Sequence, residues 1–390
     1  MHALPILQSR YRFLLALLLA YLLSSVFYVF KSGLPQPANV IILMAVLVCG
    51  FHVLVQEGRL RIDTMALCGA GFAAYTVIIN LLHYAFLPDA QFLLSSIYYI
   101  YNIGAFFLLM FLTHRKPAAL ARVLYWGLVG MVVIQLLAVF AFAPGAVVRS
   151  VGTFNNPNQL AYWSLLSLGI LVALRYPGRL RYGDFAMIAA LITITLASIS
   201  KAGMVAFFFV LLCLLCSRMV GAAVKMAAIF LAACLLIYTV FDFARVSEFL
   251  LSVDGFSAAY ERLSEPAGSG DDNFDARGYL RMIEHPEYLL LGAGEGGHGR
   301  FYFDAREMHS GLGTIIFCYG LPGALLFGSF MLMLFIRLPA LFWGLLASVM
   351  FFGLAHQNIR FAYFWIFLGA CYWAADNLSR RKAGTMPVDG

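Results

Sequence analysis

The chain has 390 residues, 63% of them apolar and only 12% charged, with a formal net charge of +7. A soluble domain is nearer half apolar and a quarter charged, so this balance excludes an ordinary cytosolic enzyme, a disordered chain and a nucleic-acid-binding module. The 35 Phe and 20 Tyr suit a chain with aromatic membrane belts.

A membrane-spanning helix needs roughly 20 mostly apolar residues, and the apolar runs predict an all-α integral membrane protein with about twelve of them. In chain order they fall near 13–30, 38–55, 64–83, 91–112, 120–142, 158–174, 184–199, 202–217 and 222–241. After a polar interval come 313–336, 338–354 and 358–376. Spans one to nine thus occupy 1–241, a large extracytoplasmic loop 242–312, spans ten to twelve 313–378, and a disordered cytoplasmic tail 379–390. Arg10 and Arg12 precede the first span and no small-residue cleavage site follows it, so it reads as an uncleaved helix. The seven Cys (Cys49, Cys68, Cys213, Cys216, Cys234, Cys318 and Cys371) all lie in apolar runs and read as core residues. The Cys213–Cys216 pair has no second pair and no nearby His, so no metal site is expected.

Cytoplasmic loops carry an excess of Lys and Arg. With the N-terminus in the cytoplasm, sixteen basic residues fall in inside segments. Only four, Lys31, Arg149, Lys201 and Arg360, fall in the short outside loops. Both termini are then cytoplasmic, which agrees with an even number of spans.

The loop 242–312 carries thirteen of the nineteen acidic residues and six Arg. Loops of this length without a role are uncommon, so chemistry is expected there. Arg277 and Arg281 are spaced i,i+4 and on a helix share a face. Two guanidiniums on one face suit a diphosphate, although Asp271, Asp272, Asp275 or Glu284 could pair with them instead. Next comes Gly292-Ala-Gly294-Glu-Gly-Gly297, whose amides could cradle phosphates or simply make a tight turn. His285-Pro286 reads as a helix end, and His298 as part of a flexible Gly-rich stretch. His309, where the loop re-enters the membrane, could serve as a general base or be structural.

Two further outside segments stand out. Gly152-Thr-Phe-Asn155-Asn156-Pro157-Asn158-Gln159 opens the sixth span, and its amides either cap the helix or bind sugar hydroxyls. Ser198-Ile-Ser200-Lys201-Ala-Gly203 joins two spans with almost no loop. A cation in so tight a turn is often functional, or it snorkels to the interface.

Together these elements resemble the O-antigen ligase and O-antigen polymerase superfamily of bacterial envelope glycosyltransferases. Three pieces match in order: Gly152–Gln159 is similar to the family's Gly-x-Phe-x-Asn-Pro-Asn element, and Ser198–Gly203 to its Ser-x-Ser-Arg-Gly element. The stretch from Arg277 through His285-Pro286 and Gly292–Gly294 to His309 looks like the family's long periplasmic loop, followed by the turn Tyr319-Gly320-Leu321-Pro322-Gly323. Two departures are Lys201 in place of Arg and Ser310 in place of Asn. Lysine keeps the charge but loses the bidentate fork.

The resemblance implies an inverting transfer, independent of metals and cofactors, on the periplasmic side of the bacterial inner membrane. The donor is a glycan on undecaprenyl diphosphate. The acceptor is a sugar hydroxyl, on another lipid-linked glycan for a polymerase of O-antigen or exopolysaccharide, or on lipid A–core for a ligase. Flippase and chain-length regulator proteins are the implied partners besides the lipid bilayer, and no nucleic acid is. The site residues it implies are His309 as base, Arg277 and Lys201 at the diphosphate with Arg281 in support, and Asn155, Asn156, Asn158, Gly292 and Gly294 as substrate contacts. The substitutions at 201 and 310 favour a polymerase over a ligase. A transporter or flippase of lipid-linked sugars is the reading from another class. It calls for polar groups at the bilayer midplane and paired repeats.

Overall fold

The computed structural model describes residues 5–31, 33–57, 63–141, 149–241, 277–301 and 307–384. Asp271, Asp272, Asp275 and the rest of the predicted loop from 242 to 276 lie outside them. Every regular element among the described residues is a helix. In the first part of the chain these are α1 (Pro5–Ser25), α2 (Pro37–His52), α3 (Thr64–Phe86), α4 (Ala90–Arg115), α5 (Pro117–Ala141) and α6 (Pro157–Arg175). They are followed by α7 (Tyr182–Ser198), α8 (Lys201–Cys216) and α9 (Ala222–Phe241). Two short helices, α10 (Leu280–Glu284) and α11 (Tyr288–Leu291), precede α12 (Gly311–Phe335), α13 (Ala340–Ala355) and α14 (Ala362–Lys382). Each predicted span overlaps one helix other than α10 and α11.

Six of these, α3, α4, α5, α6, α12 and α2 with its continuation to Val55, are long and apolar enough to cross a membrane. α7, α8, α13 and Ala222–Cys234 of α9 are apolar but shorter.

The ends of the helices are written in the sequence. Asp63, Asp89, Asn156, Ser200 and Ser310 each accept a first-turn amide, from Ala66, Gln91, Asn158, Gly203 and Gly313. Such caps satisfy N–H groups that have no partner inside the helix. Pro stands at the start of α2 and α6, where its missing N–H costs nothing. Four boundaries differ from expectation by four residues or more, the first being the start of α1 at Pro5. α1 ends at Ser25, not near 30, because Gln36 captures the Val29 and Phe30 amides, both at 3.0 Å, and Tyr28 N donates to Thr153 O at 3.1 Å. α14 begins at Ala362, leaving 356–361 as connecting chain. α14 also runs on to Lys382, so the start of the expected tail is helical.

Burial divides the bundle into a centre and a rim. In α6, 78% of the apolar window is buried and in α4 67%, against 33% in α2. α14 is buried from Ala362 to Ala375 and packs between α4 and α6. Glycines permit the approach: a Cβ on Gly169 would lie 2.5 Å from the Phe367 ring, and one on Gly369 2.5 Å from the Leu109 side chain. Small residues at such crossings let helix backbones close together.

The connections sort to two ends. At one, Arg337 pairs with Asp63 and Trp373 Nε1 donates to Pro117 O at 3.1 Å. Leu180 N there donates to Met219 O at 3.0 Å. At the other, Ser150 N donates to Ala197 O at 2.9 Å, Gly297 N to Asp89 Oδ2 at 2.8 Å, and Gly311 N to His356 O at 3.0 Å. The described parts of the α1–α2, α3–α4, α5–α6, α7–α8, α9–α12 and α13–α14 connections thus gather at one end.

Candidate active site

At that second end lies a cavity of about 530 Å³. Its wall includes Arg149, Arg277, Glu307, His309, His356 and Arg360, with Asn156 and Asn158 beside them. Tyr21, Tyr28, Tyr98, Tyr101 and Tyr162 also line it, together with Gln36 and Asn39. Among the described residues of its wall, three guanidiniums stand against a single carboxylate, with phenol and amide groups besides. Positive charge in a confined, low-dielectric space suits an anionic ligand, and aromatic faces with amide donors suit sugar rings.

Arg277 and His309 are two sequence-predicted residues that the fold brings together. They stand 32 positions apart, yet His309 N donates to Arg277 O at 3.3 Å. The loop is pinned on either side of that contact. Tyr279 Oη lies 2.7 Å from Ser310 Oγ and donates to Leu354 O at 2.6 Å. Ser310 Oγ in turn lies 3.0 Å from Gly353 O and accepts Gly313 N at 2.9 Å. Ser310 is therefore the cap that fixes where α12 starts, and His309 projects from the residue before it.

The expected common face of Arg277 and Arg281 does not form. α10 begins only at Leu280, after a turn in which Gly278 has φ +80°, so the two guanidiniums diverge. Arg277 lines the cavity. Arg281 is buried, its guanidinium 5.5 Å from the Phe301 ring. His285 does end α10, as its Pro neighbour requires.

Lys201 is not among the residues that line the cavity. It opens α8 after the cap Ser200 and two residues beyond Ile199, which has φ +47°, a strained value for a β-branched residue. The cation that reaches the cavity from this corner is Arg149. Its Nε donates to Ser198 O at 3.4 Å and its Nη2 to Asn158 Oδ1 at 3.2 Å. The Asn cluster divides its labour. Asn155 Nδ2 bonds Phe30 O at 2.6 Å and ties two loops together, and Asn156 Oδ1 accepts the Asn158 amide at 2.8 Å. Asn156 and Asn158 face the cavity and Asn155 does not.

The Gly292–Gly297 run is no open phosphate cradle, because five of its six amides are already spent. Gly292 N donates to Tyr288 O, Ala293 N to Phe317 O and Gly294 N to Cys318 O, at 2.8, 2.9 and 2.8 Å. Glu295 N donates to Asn80 Oδ1 and Gly297 N to Asp89 Oδ2, both at 2.8 Å. The acceptors on α12 exist because that helix breaks. Pro322 has no N–H for Cys318 O, and Gly320 leaves helical geometry at φ +59°, ψ −166°. A Cβ at Gly320 would come within 2.6 Å of Gly292 N, so only glycine fits the crossing. The run and the following His298 are buried. Burial, with Arg281, Arg360 and Arg300 nearby, pushes the His298 imidazole down to about 3, so it is neutral at pH 7. Burial also lowers the pKa of Arg300, whose guanidinium lies 4.6 Å from the Phe301 ring and bonds Ala293 O.

Glu295, within that run, carries an unforeseen network. Its side chain accepts Tyr319 Oη at 2.6 Å and Gln357 Nε2 at 3.1 Å, and pairs with Arg360 Nε at 3.1 Å. Arg360 also pairs with Glu307. Arg149, Arg360, Glu295, Glu307, His356 and Gln357 were not singled out from sequence. For two of them a signal existed: Arg149 and Arg360 are basic residues on the sparsely charged side, against the general trend. Among the described residues no three His, Cys, Asp or Glu side chains gather as metal ligands.

No protein-family model matches the chain, and no curated protein matches it either.

Proposed function

We propose that this chain is an inverting, metal-independent membrane glycosyltransferase of surface-polysaccharide assembly, acting as an O-antigen or exopolysaccharide polymerase. In this reading the twelve long helices span the bacterial inner membrane, both termini are cytoplasmic and the cavity faces the periplasm. The observation that carries it is the joining of Arg277 to His309 in the wall of one cavity, beside Asn156, Asn158 and Arg149.

The acceptor hydroxyl oxygen attacks the anomeric carbon from the face opposite the diphosphate. The bond from that carbon to the diphosphate oxygen breaks, and its electron pair leaves with the diphosphate. His309 takes the hydroxyl proton. Arg277 and Arg149 offset the charge on the leaving diphosphate, the service that fixed cations perform in a confined site. Lys201 and Arg281, assigned to the same task from sequence, lie outside the cavity wall and contribute at most through its electrostatic field.

The test is transfer by purified protein in liposomes, given an undecaprenyl-diphosphate oligosaccharide and a lipid A–core acceptor. Lengthened lipid-linked glycan with an untouched core is the expected result. Glycan on the core makes the protein the ligase instead. Movement of the lipid-linked sugar across the bilayer with no new glycosidic bond sinks the enzyme reading in favour of a transporter.

A further inference from the structure

We infer that Arg360 is an anion-binding residue of the cavity and that Glu307 is its removable counter-ion. The inference rests on the reading that a diphosphate or similar anion enters this cavity.

Arg360 is held by carboxylates from two sides, and the two are not equivalent. Glu295 is 1% exposed, and every polar part of it is engaged. Its carboxylate is held by Tyr319, Gln357 and Arg360, its N–H by Asn80, and its carbonyl by Ser95 Oγ at 2.9 Å. A carboxylate so placed cannot leave its cation without remaining charged in the interior, which is costly. Glu307 is 27% exposed and lines the cavity. Apart from Arg360, the one described residue that its carboxylate accepts from is Gln91, through Nε2 at 3.3 Å. Turning it toward water breaks two contacts and buries no charge.

The Arg360 side chain itself is 12% exposed and lines the cavity. Its main chain is fixed by Asn102 Nδ2, which donates to Arg360 O at 3.0 Å. A guanidinium offers five N–H donors in a rigid fork that matches phosphate oxygens in pairs. Glu295 keeps Nε occupied and the fork oriented, while Nη2 faces Glu307. An incoming pyrophosphate group replaces one carboxylate with a more highly charged, bidentate partner. Glu307 therefore competes with the ligand for the same donor. Removing its charge should strengthen anion binding, whereas a carboxylate that only props Arg360 in place would weaken binding when lost.

The experiment titrates the full-length protein in lipid nanodiscs with inorganic pyrophosphate by calorimetry, beside Glu307→Gln and Arg360→Lys. Glu307→Gln is expected to bind about tenfold more tightly, the scale of a close charge pair. Arg360→Lys keeps the charge and compensates Glu295, and it should bind about tenfold more weakly because the fork is gone. Equal or weaker binding by Glu307→Gln overturns the inference. So does wild-type affinity in a folded Arg360→Lys protein, or no binding by wild type at all. Glycan transfer by wild type with unchanged pyrophosphate affinity in Glu307→Gln sinks this inference and leaves the proposed function standing. Tighter binding in Glu307→Gln without transfer by any variant does the reverse.

Discussion

At the end of the bundle away from the cavity, Arg175 meets Asp184 at 2.7 Å and Arg337 meets Asp63 at 2.9 Å. Arg380 there meets Asp376 one helical turn before it, at 2.6 Å. These contacts lie at helix termini, and the loops between them are short. At the cavity end, Arg149, Arg277 and Arg360 turn toward a shared space instead, and the loops bond one another through their backbones. The same side chain thus performs two tasks. Where basic residues are the rule, they finish helices. Where they are the exception, two of the four short-loop cations line the cavity.

If the cavity end carries the chemistry, its residues should fail hardest. His309→Ala and Arg277→Ala should each lower glycan transfer by about a thousandfold, within the range known for a lost general base or a lost charge-stabilising donor. Their amounts in the membrane should match wild type, because neither side chain caps a helix. Transfer within a factor of a few of wild type in His309→Ala would remove the base assignment. Arg149→Ala should cost more than Lys201→Ala, since Arg149 lines the cavity and Lys201 does not. The reverse order, measured as transfer at saturating donor, would return the diphosphate to the α7–α8 turn.

A second comparison concerns what supports the cavity. Gly320→Ala forces a Cβ against the Gly292 amide and a left-handed φ on an alanine. It should lower stability by about 3 kcal/mol, combining backbone strain with overpacking. A thermal melt in detergent reads this directly, and an unchanged Tm would mean that the Gly-rich run does not dock on α12 as described.

The helices of this fold were legible because hydropathy, Pro starts and Asn, Asp or Ser caps are local signals. The encounter of Arg277 with His309 was legible only as shared membership of one loop. Arg281 misled because i,i+4 spacing means a shared face only once a helix exists, and Gly278 delays that helix. The Gly run misled because a chain of free-looking amides does not reveal acceptors donated by a helix that follows it. Pro322 inside an apolar run was the available hint, since it leaves the Cys318 carbonyl without its usual partner. Glu295 and Arg360 stand 65 positions apart, and no local pattern pairs them.

His298 separates the two ends by pH. Unfolded, it takes up a proton below about 6.5. Folded, it stays neutral down to about 3. Acid therefore favours the unfolded chain throughout that window, so the contribution is complete above about 6.5 and declines as pH falls toward 3. Melting curves at pH 7 and pH 4.5 should show His298→Gln losing less stability on acidification than wild type by a few degrees. Parallel losses would mean that the imidazole is already solvated.

The smallest effect belongs to the opposite end. Arg337 and Asp63 are 40% and 36% exposed, so their attraction is screened by water and offset by side-chain entropy. Arg337→Ala should cost at most about 0.5 kcal/mol of stability and leave transfer unchanged. Arg175→Ala should cost more, because Asp184 is fully buried and Arg175 supplies two bonds to its Oδ1, at 2.9 and 2.7 Å. Its effect should still be confined to Tm. A fall in transfer by either variant, at equal membrane abundance, would mean that the two ends are coupled through α3, α6 or α12. The division between structural and chemical arginines would then follow connectivity along those helices and not the end at which each residue sits.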